Sequence, residues 1–190
     1  MIRKAIFTFL TGAFLLSAAS EAQAQKYFTR DGKVSFDATA QNSPEKIQAT
    51  TNAGTLVLDK TSGDVQMAVL LKGLQFEKAL MQEHFNENYL ETSKYPKAEF
   101  KGKLDNPAAV DFTKDGTYTS NVSGTMTMHG VSKQLTAPVK FTVKGGQISS
   151  TANFKLALSD YGISVPSLVS DKVAKEANVS ISANLAVLNK

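Results

Sequence analysis

Two histidines, His84 and His129, and no cysteine stand among the 190 residues, so nucleophilic, acid–base or metal chemistry would have to be built from few parts. His129 closes the run Met126-Thr127-Met128-His129, whose thioethers and imidazole are the soft donors that Cu(I) prefers. Both methionines, however, fall on the apolar face of an alternating segment, and His129-Gly130 reads as a two-residue hairpin turn. Packing is the better reading for the methionines, and a turn position tolerating positive φ the better one for His129. Glu83, Glu87 and Glu91 recur every four residues, a spacing that could pair carboxylates for general acid–base work. With no apolar flank to perturb them, a solvated helix face is the simpler account, and His84 reads as a histidine on that helix surface. No G-x-S-x-G, phosphate-loop, dinucleotide-binding or H-E-x-x-H pattern occurs. Zinc and triad sites would want more partners than the two histidines offer. The residues therefore give catalysis little support, and they point to no cofactor and no metal. A hydrolase assembled from scattered Ser, His and Asp is the distant alternative.

The elements that would position these residues alternate with a period of two. Val34, Phe36 and Ala38 interleave with Ser35, Asp37 and Thr39, and Val179, Ile181, Ala183, Leu185 and Val187 interleave with mostly polar neighbours. A turn at His129-Gly130 makes paired residue numbers sum to 259, and one at Gly145-Gly146 makes them sum to 291. Both registers put Leu135, Ala137, Val139, Phe141 and Val143 on one face, whereas a one-residue slip would turn the set outward. The second register also sets Ala137 opposite Phe154 and Leu135 opposite Leu156. Strands are predicted over 33–40, 46–52, 54–59, 64–71, 97–104, 117–128, 131–144, 147–158 and 178–188. Such consecutive antiparallel strands stack as a sandwich or close as a barrel. Across 74–90 the period changes: Phe76-Leu80 and Met81-Phe85-Tyr89 are spaced by four, which predicts an amphipathic helix ending before Tyr95-Pro96. Tyr95 should pack against one end of the strands. A second helical turn is predicted at Ser167–Ala174.

At the N-terminus, Arg3 and Lys4 precede an apolar run from Ala5 to Ala19, and Ala22-Gln23-Ala24 is a small-x-small ending. Residues 1–24 therefore read as a secretion signal and 25–190 as one domain, periplasmic or secreted after cleavage. The run is short of the roughly 20 residues that span a bilayer, so no integral membrane segment is expected after signal removal. Loss of Arg3, Lys4 and Glu21 lowers the formal net charge from +4 to +3. The remaining lysines are scattered and not interleaved with aromatics, which argues against nucleic acid as a partner.

Two segments, Tyr89-Leu90 with Lys94-Tyr95-Pro96-Lys97-Ala98-Glu99-Phe100-Lys101-Gly102, and Gly124-Thr125-Met126-Thr127-Met128-His129-Gly130-Val131-Ser132-Lys133-Gln134-Leu135, resemble the YceI-like family. The resemblance implies an all-β, antiparallel up-and-down lipocalin-like barrel of about eight strands with one amphipathic helix, a binding protein and not an enzyme, exported and holding an amphiphilic lipid or isoprenoid-type ligand. In such a barrel the inward positions Phe36, Met67, Phe100, Met126, Phe141 and Phe154 would bound the lumen. Phe76, Leu80 and Phe85 on the helix would close one end. A ligand-free structural or interaction barrel of the cell envelope would use the same residue types, and the sequence leaves both readings open, along with the oligomeric state.

Overall fold

Alternation of apolar and polar side chains produces strands long enough to wrap fully round. The computed structural model describes residues 26–188; the leader read over 1–24 lies outside the described residues. Long strands run over β1 (Lys26–Thr39), β2 (Gln48–Asp59), β3 (Asp64–Leu70), β5 (Lys97–Leu104), β6 (Gly116–Met128), β7 (Val131–Lys144), β8 (Gln147–Ala157) and β9 (Val173–Val187), with a two-residue β4 (Gln75–Phe76). Each long strand pairs antiparallel with its sequence neighbours among the eight, and β1 pairs with both β9 and β2. The result is a closed eight-stranded up-and-down barrel in which each long strand has a partner on both sides.

The central hairpin has the register that alternation predicts. Every β6–β7 pair from Gly116↔Val143 to Met128↔Val131 sums to 259, and β7–β8 pairs from Val139↔Ala152 to Lys144↔Gln147 sum to 291. Thr136 is exposed, while Ala137, Phe141 and Val143 are buried. The second ladder stops at Val139↔Ala152, so Ala137–Phe154 and Leu135–Leu156 are not paired as expected. Pro138, which has no N–H to donate, stands where the two strands part.

Three boundaries differ from expectation. The segments predicted as separate strands over 46–52 and 54–59 are one strand, β2. Gly54 does not end it because Gly54 faces Gly32 of β1 across a bulged stretch, and a Cβ on Gly54 would lie 2.8 Å from the Gly32 carbonyl oxygen. β1 begins at Lys26 and β9 at Val173, both earlier than predicted; Val173 pairs with Thr39. That pairing also shortens the second predicted helical turn, and only Ser167–Val169 forms a 3-10 turn.

The helix predicted over 74–90 is largely replaced. Leu71–Gly73 is a 3-10 turn, and Gln75–Phe76 pairs with Ala49–Thr50 of β2. Only α1 (Ala79–His84) is α-helical, and Phe85–Tyr89 forms one π turn closed by the Leu90 N–H donating to the Phe85 carbonyl at 2.9 Å. The open strand partner at Ala49–Thr50 competes for the front of the segment, and the wider π turn rotates its end. Thr92, 1% exposed, fixes that end by donating from its hydroxyl to Asn86 Oδ1 at 3.0 Å. Tyr95 packs on the His129-Gly130 turn, its ring 4.9 Å from the imidazole, where a Cβ on Gly130 would lie 2.6 Å from a ring carbon.

The core divides along the barrel axis. One half, around Tyr27, Leu58, Phe112, Phe141, Val143 and Ile148, is closed where Phe112 packs tilted against Tyr27 and edge-on against Phe141. The other, around Ala38, Leu74, Phe85, Leu158 and Ile163, lies under α1 and the 158–172 link.

Candidate functional site: an apolar lumen beneath a charged mouth

Inward positions of the eight strands converge on a cavity of about 140 Å³. Phe36, Met67, Phe100, Met126, Phe141 and Phe154, the residues expected to bound a lumen, all line it. Leu56, Leu58, Val65 and Val139 line it as well, and buried Ser150 is a polar residue in an otherwise largely apolar wall. Small side chains at Ala98, Ala137 and Ala152 give the cavity its width, and three methionines, Met67, Met126 and Met128, give it walls that can change shape. The Met126–His129 run is therefore lumen wall followed by a turn. Among the described residues no group of His, Cys, Asp or Glu could hold a metal ion.

A second chamber of about 280 Å³ lies at the end covered by α1. Phe76, Leu80 and Phe85, expected to close that end, line this chamber and not the lumen. Phe36 borders both. The ring of Phe85, 7% exposed, sits 5.9 Å from Phe36 and 4.9 Å from Phe76, so an aromatic trio forms the floor of the chamber where the two meet. Leu80, by contrast, is 62% exposed and forms the outer lip.

The chemistry changes at that lip. Glu45, from the β1–β2 connection, accepts a hydrogen bond from Lys78 Nζ at 2.7 Å and lies 3.7 Å from Lys172 Nζ. All three residues, with His84, line the outer chamber. The Lys78 hydrogen bond and charge, with the Lys172 charge behind them, hold the Glu45 carboxyl below the usual carboxylate range. Sequence reasoning missed this group, because Glu45, Lys78 and Lys172 are distant in the chain and carry no motif. It also missed Leu158 and Ile163, which wall the chamber from the link. The glutamate stripe divides: Glu83 and Glu87 are solvent-exposed as expected, but Glu91 turns back at φ 44° and its carboxylate meets His129 at 2.9 Å.

This is a container with a hydrophobic interior, one sealed end and one polar end. A model of the YceI-like domain matches residues 18–185. The chain belongs to the YceI-like family. Its barrel is also similar to solved structures, at identities that speak for the fold alone. A polyisoprenoid-binding domain from Saccharophagus degradans, implicated in plant cell wall breakdown, matches at TM-score 0.73 and 13% identity over 87% of this chain and 99% of that one. BcnA of Burkholderia cenocepacia matches at TM-score 0.65 and 17% identity over 82% and 96% of the two chains. The YceI protein of Campylobacter jejuni matches at 0.57 and 18%, over 77% and 87%. No curated protein matches the chain. In this YceI-like barrel, among the described residues, no helix is long and apolar enough to cross a membrane.

Proposed function

We propose that this YceI-like protein is an exported carrier that holds the apolar chain of an amphiphilic lipid, of isoprenoid type, inside its barrel without chemically changing it. The observation that carries the reading is the lumen itself: Phe36, Met67, Phe100, Met126, Phe141 and Phe154 face one another across a cavity, where a solid core would interdigitate. The chain would lie against these six, entering past Leu80, Phe76 and Phe85. Each CH₂ transferred from water into such a space contributes about 0.8 kcal/mol. The polar end of the ligand would stay at the mouth, near Lys78 and Lys172. The polyisoprenoid-binding relative from S. degradans supports the ligand class, and the leader-like residues 1–24 support export to the periplasm or beyond.

One observation favours the ligand-free alternative. At about 140 Å³ the lumen falls below the roughly 300–1,000 Å³ of small-molecule pockets. The carrier reading therefore requires the Phe85 floor to move so that the lumen joins the 280 Å³ chamber above it.

Farnesol and decane-1-sulfonate serve as probes with an apolar chain and different ends. Because a ligand that binds only the folded state stabilises it by mass action, farnesol at 100-fold above its dissociation constant is expected to add about 2.7 kcal/mol and raise Tm. Neither probe changing Tm at its solubility limit would count against the carrier.

A further inference from the structure

His129 and Glu91 are left over from the lumen and the mouth, yet both adopt positive φ, 52° and 44°, which non-glycine residues seldom do. Each is held there by contacts with other elements. His129 Nε2 lies 2.9 Å from Glu91 Oε2, and His129 Nδ1 lies 2.9 Å from the backbone carbonyl oxygen of Tyr161. The imidazole side chain is only 15% exposed, and the Tyr95 ring covers it edge-on at 4.9 Å.

The two partners belong to the two walls of the mouth. Glu91 follows the π turn that ends the α1 segment, and its carbonyl accepts from the N–H groups of Lys94 and Tyr95. Tyr161 ends the 3-10 turn Leu158–Tyr161 that opens the 158–172 link, whose Ile163 N–H donates back to Leu158 at 3.1 Å. Leu90 and Leu158, which flank these contacts, both line the outer chamber. The rigid β6–β7 hairpin thus reaches up between both walls with one side chain.

Both atoms facing the ring are acceptors. A carboxylate and a carbonyl oxygen can donate nothing, and a neutral imidazole has a single N–H. In the neutral ring one nitrogen lone pair must point at an oxygen 2.9 Å away; in the imidazolium both nitrogens donate. We infer that His129 is a positioning residue: a protonation-dependent clasp that ties the α1 wall and the 158–172 wall of the mouth together in its charged form and releases one of them in its neutral form. Two acids and one cation stand around this contact. Glu91 faces the ring directly, and Asp160 adds a second acid beside Tyr161. Lys94, the cation on this side, stacks on the Tyr95 ring at 4.9 Å and so approaches through that ring. Acid closes the clasp and base loosens it.

Amide hydrogen exchange of the ligand-free protein tests this independently of any lipid, so the clasp can fail while the carrier reading stands, and the reverse. Protection factors of Thr92, Tyr95 and Ile163, corrected for intrinsic rates, are expected to fall about tenfold or more from pH 5.5 to pH 8.5, the factor one charge-assisted hydrogen bond carries. Thr125 in the β6–β7 ladder should hold constant. Glu91→Gln distinguishes a clasp from a merely structural contact: its carboxamide can donate to the neutral ring, so the pH dependence should disappear with protection kept. His129→Gln should exchange fast at both pH values. Wild-type factors that do not change with pH, or Glu91→Gln following the wild-type profile, would overturn the inference, and Glu91→Gln suffices if His129→Gln fails to fold.

Discussion

Ala137→Phe is expected to abolish lipid retention at little cost in stability. Ala137 is 2% exposed at the surface yet lines the lumen, so a ring added there projects into the space that the apolar chain would occupy. If that space is cavity, the ring fills it, and the loss of stability in urea unfolding should stay below about 1 kcal/mol. In a solid core the same change overpacks, costing roughly 1–3 kcal/mol. Lipid extracted per mole of protein should fall to background, and Ala152→Phe, from the facing strand, should behave alike. A large stability loss with unchanged lipid content would place these alanines in packed core and remove the carrier's binding space.

The second large effect is on the fold. Gly102 of β5 and Gly124 of β6 stand opposite each other in register. A Cβ on Gly124 would lie 2.3 Å from the Lys101 carbonyl oxygen and 2.4 Å from Gly102 Cα, and one on Gly102 would lie 2.4 Å from the Ser123 carbonyl oxygen. These are backbone atoms, which cannot swing aside as a side chain can. Gly124→Ala should therefore separate two barrel strands and cost about 3 kcal/mol, the top of the overpacking range. The check is a shift in the urea midpoint with an unchanged slope. Gly145→Ala makes the control, since nothing lies within 4 Å of a Cβ there, although its φ of 56° adds some strain. Equal stability of Gly124→Ala and wild type would mean that the strands can part without loss.

How far the sequence reveals this molecule depends on the range of the interaction. The β6–β7–β8 meander was legible because its pairing is local: His129-Gly130 and Gly145-Gly146 set the registers, and the alternation of Val139, Phe141 and Val143 confirms them. The lumen residues followed, since a strand's inward side is a matter of parity once the barrel closes. The Gly32–Gly54 approach was not legible, because a glycine inside a strand and a glycine ending one look alike until the partner backbone is known. The helix was over-extended for a related reason. Spacings of four at Phe76-Leu80 and Phe85-Tyr89 fit an α-helix, but β2 offers Gln75–Phe76 a ladder partner, and the π turn brings Phe85 against Phe36. The Glu91–His129 pair spans 38 residues and the Lys78–Glu45 pair 33, and neither has a local signature. Single side chains that join distant loops become visible only when the barrel has brought its ends together.

The most direct test of the proposed carrier is native mass spectrometry of the protein purified from its native cells without detergent or denaturant. The account predicts a polypeptide beginning at Gln25, carrying one non-covalent adduct that collisional activation releases as a lipid with a long apolar chain. Wild-type protein that is bare under the gentlest ionisation, and remains bare after incubation with total lipid extract of the same cells, would contradict it and leave a ligand-free barrel.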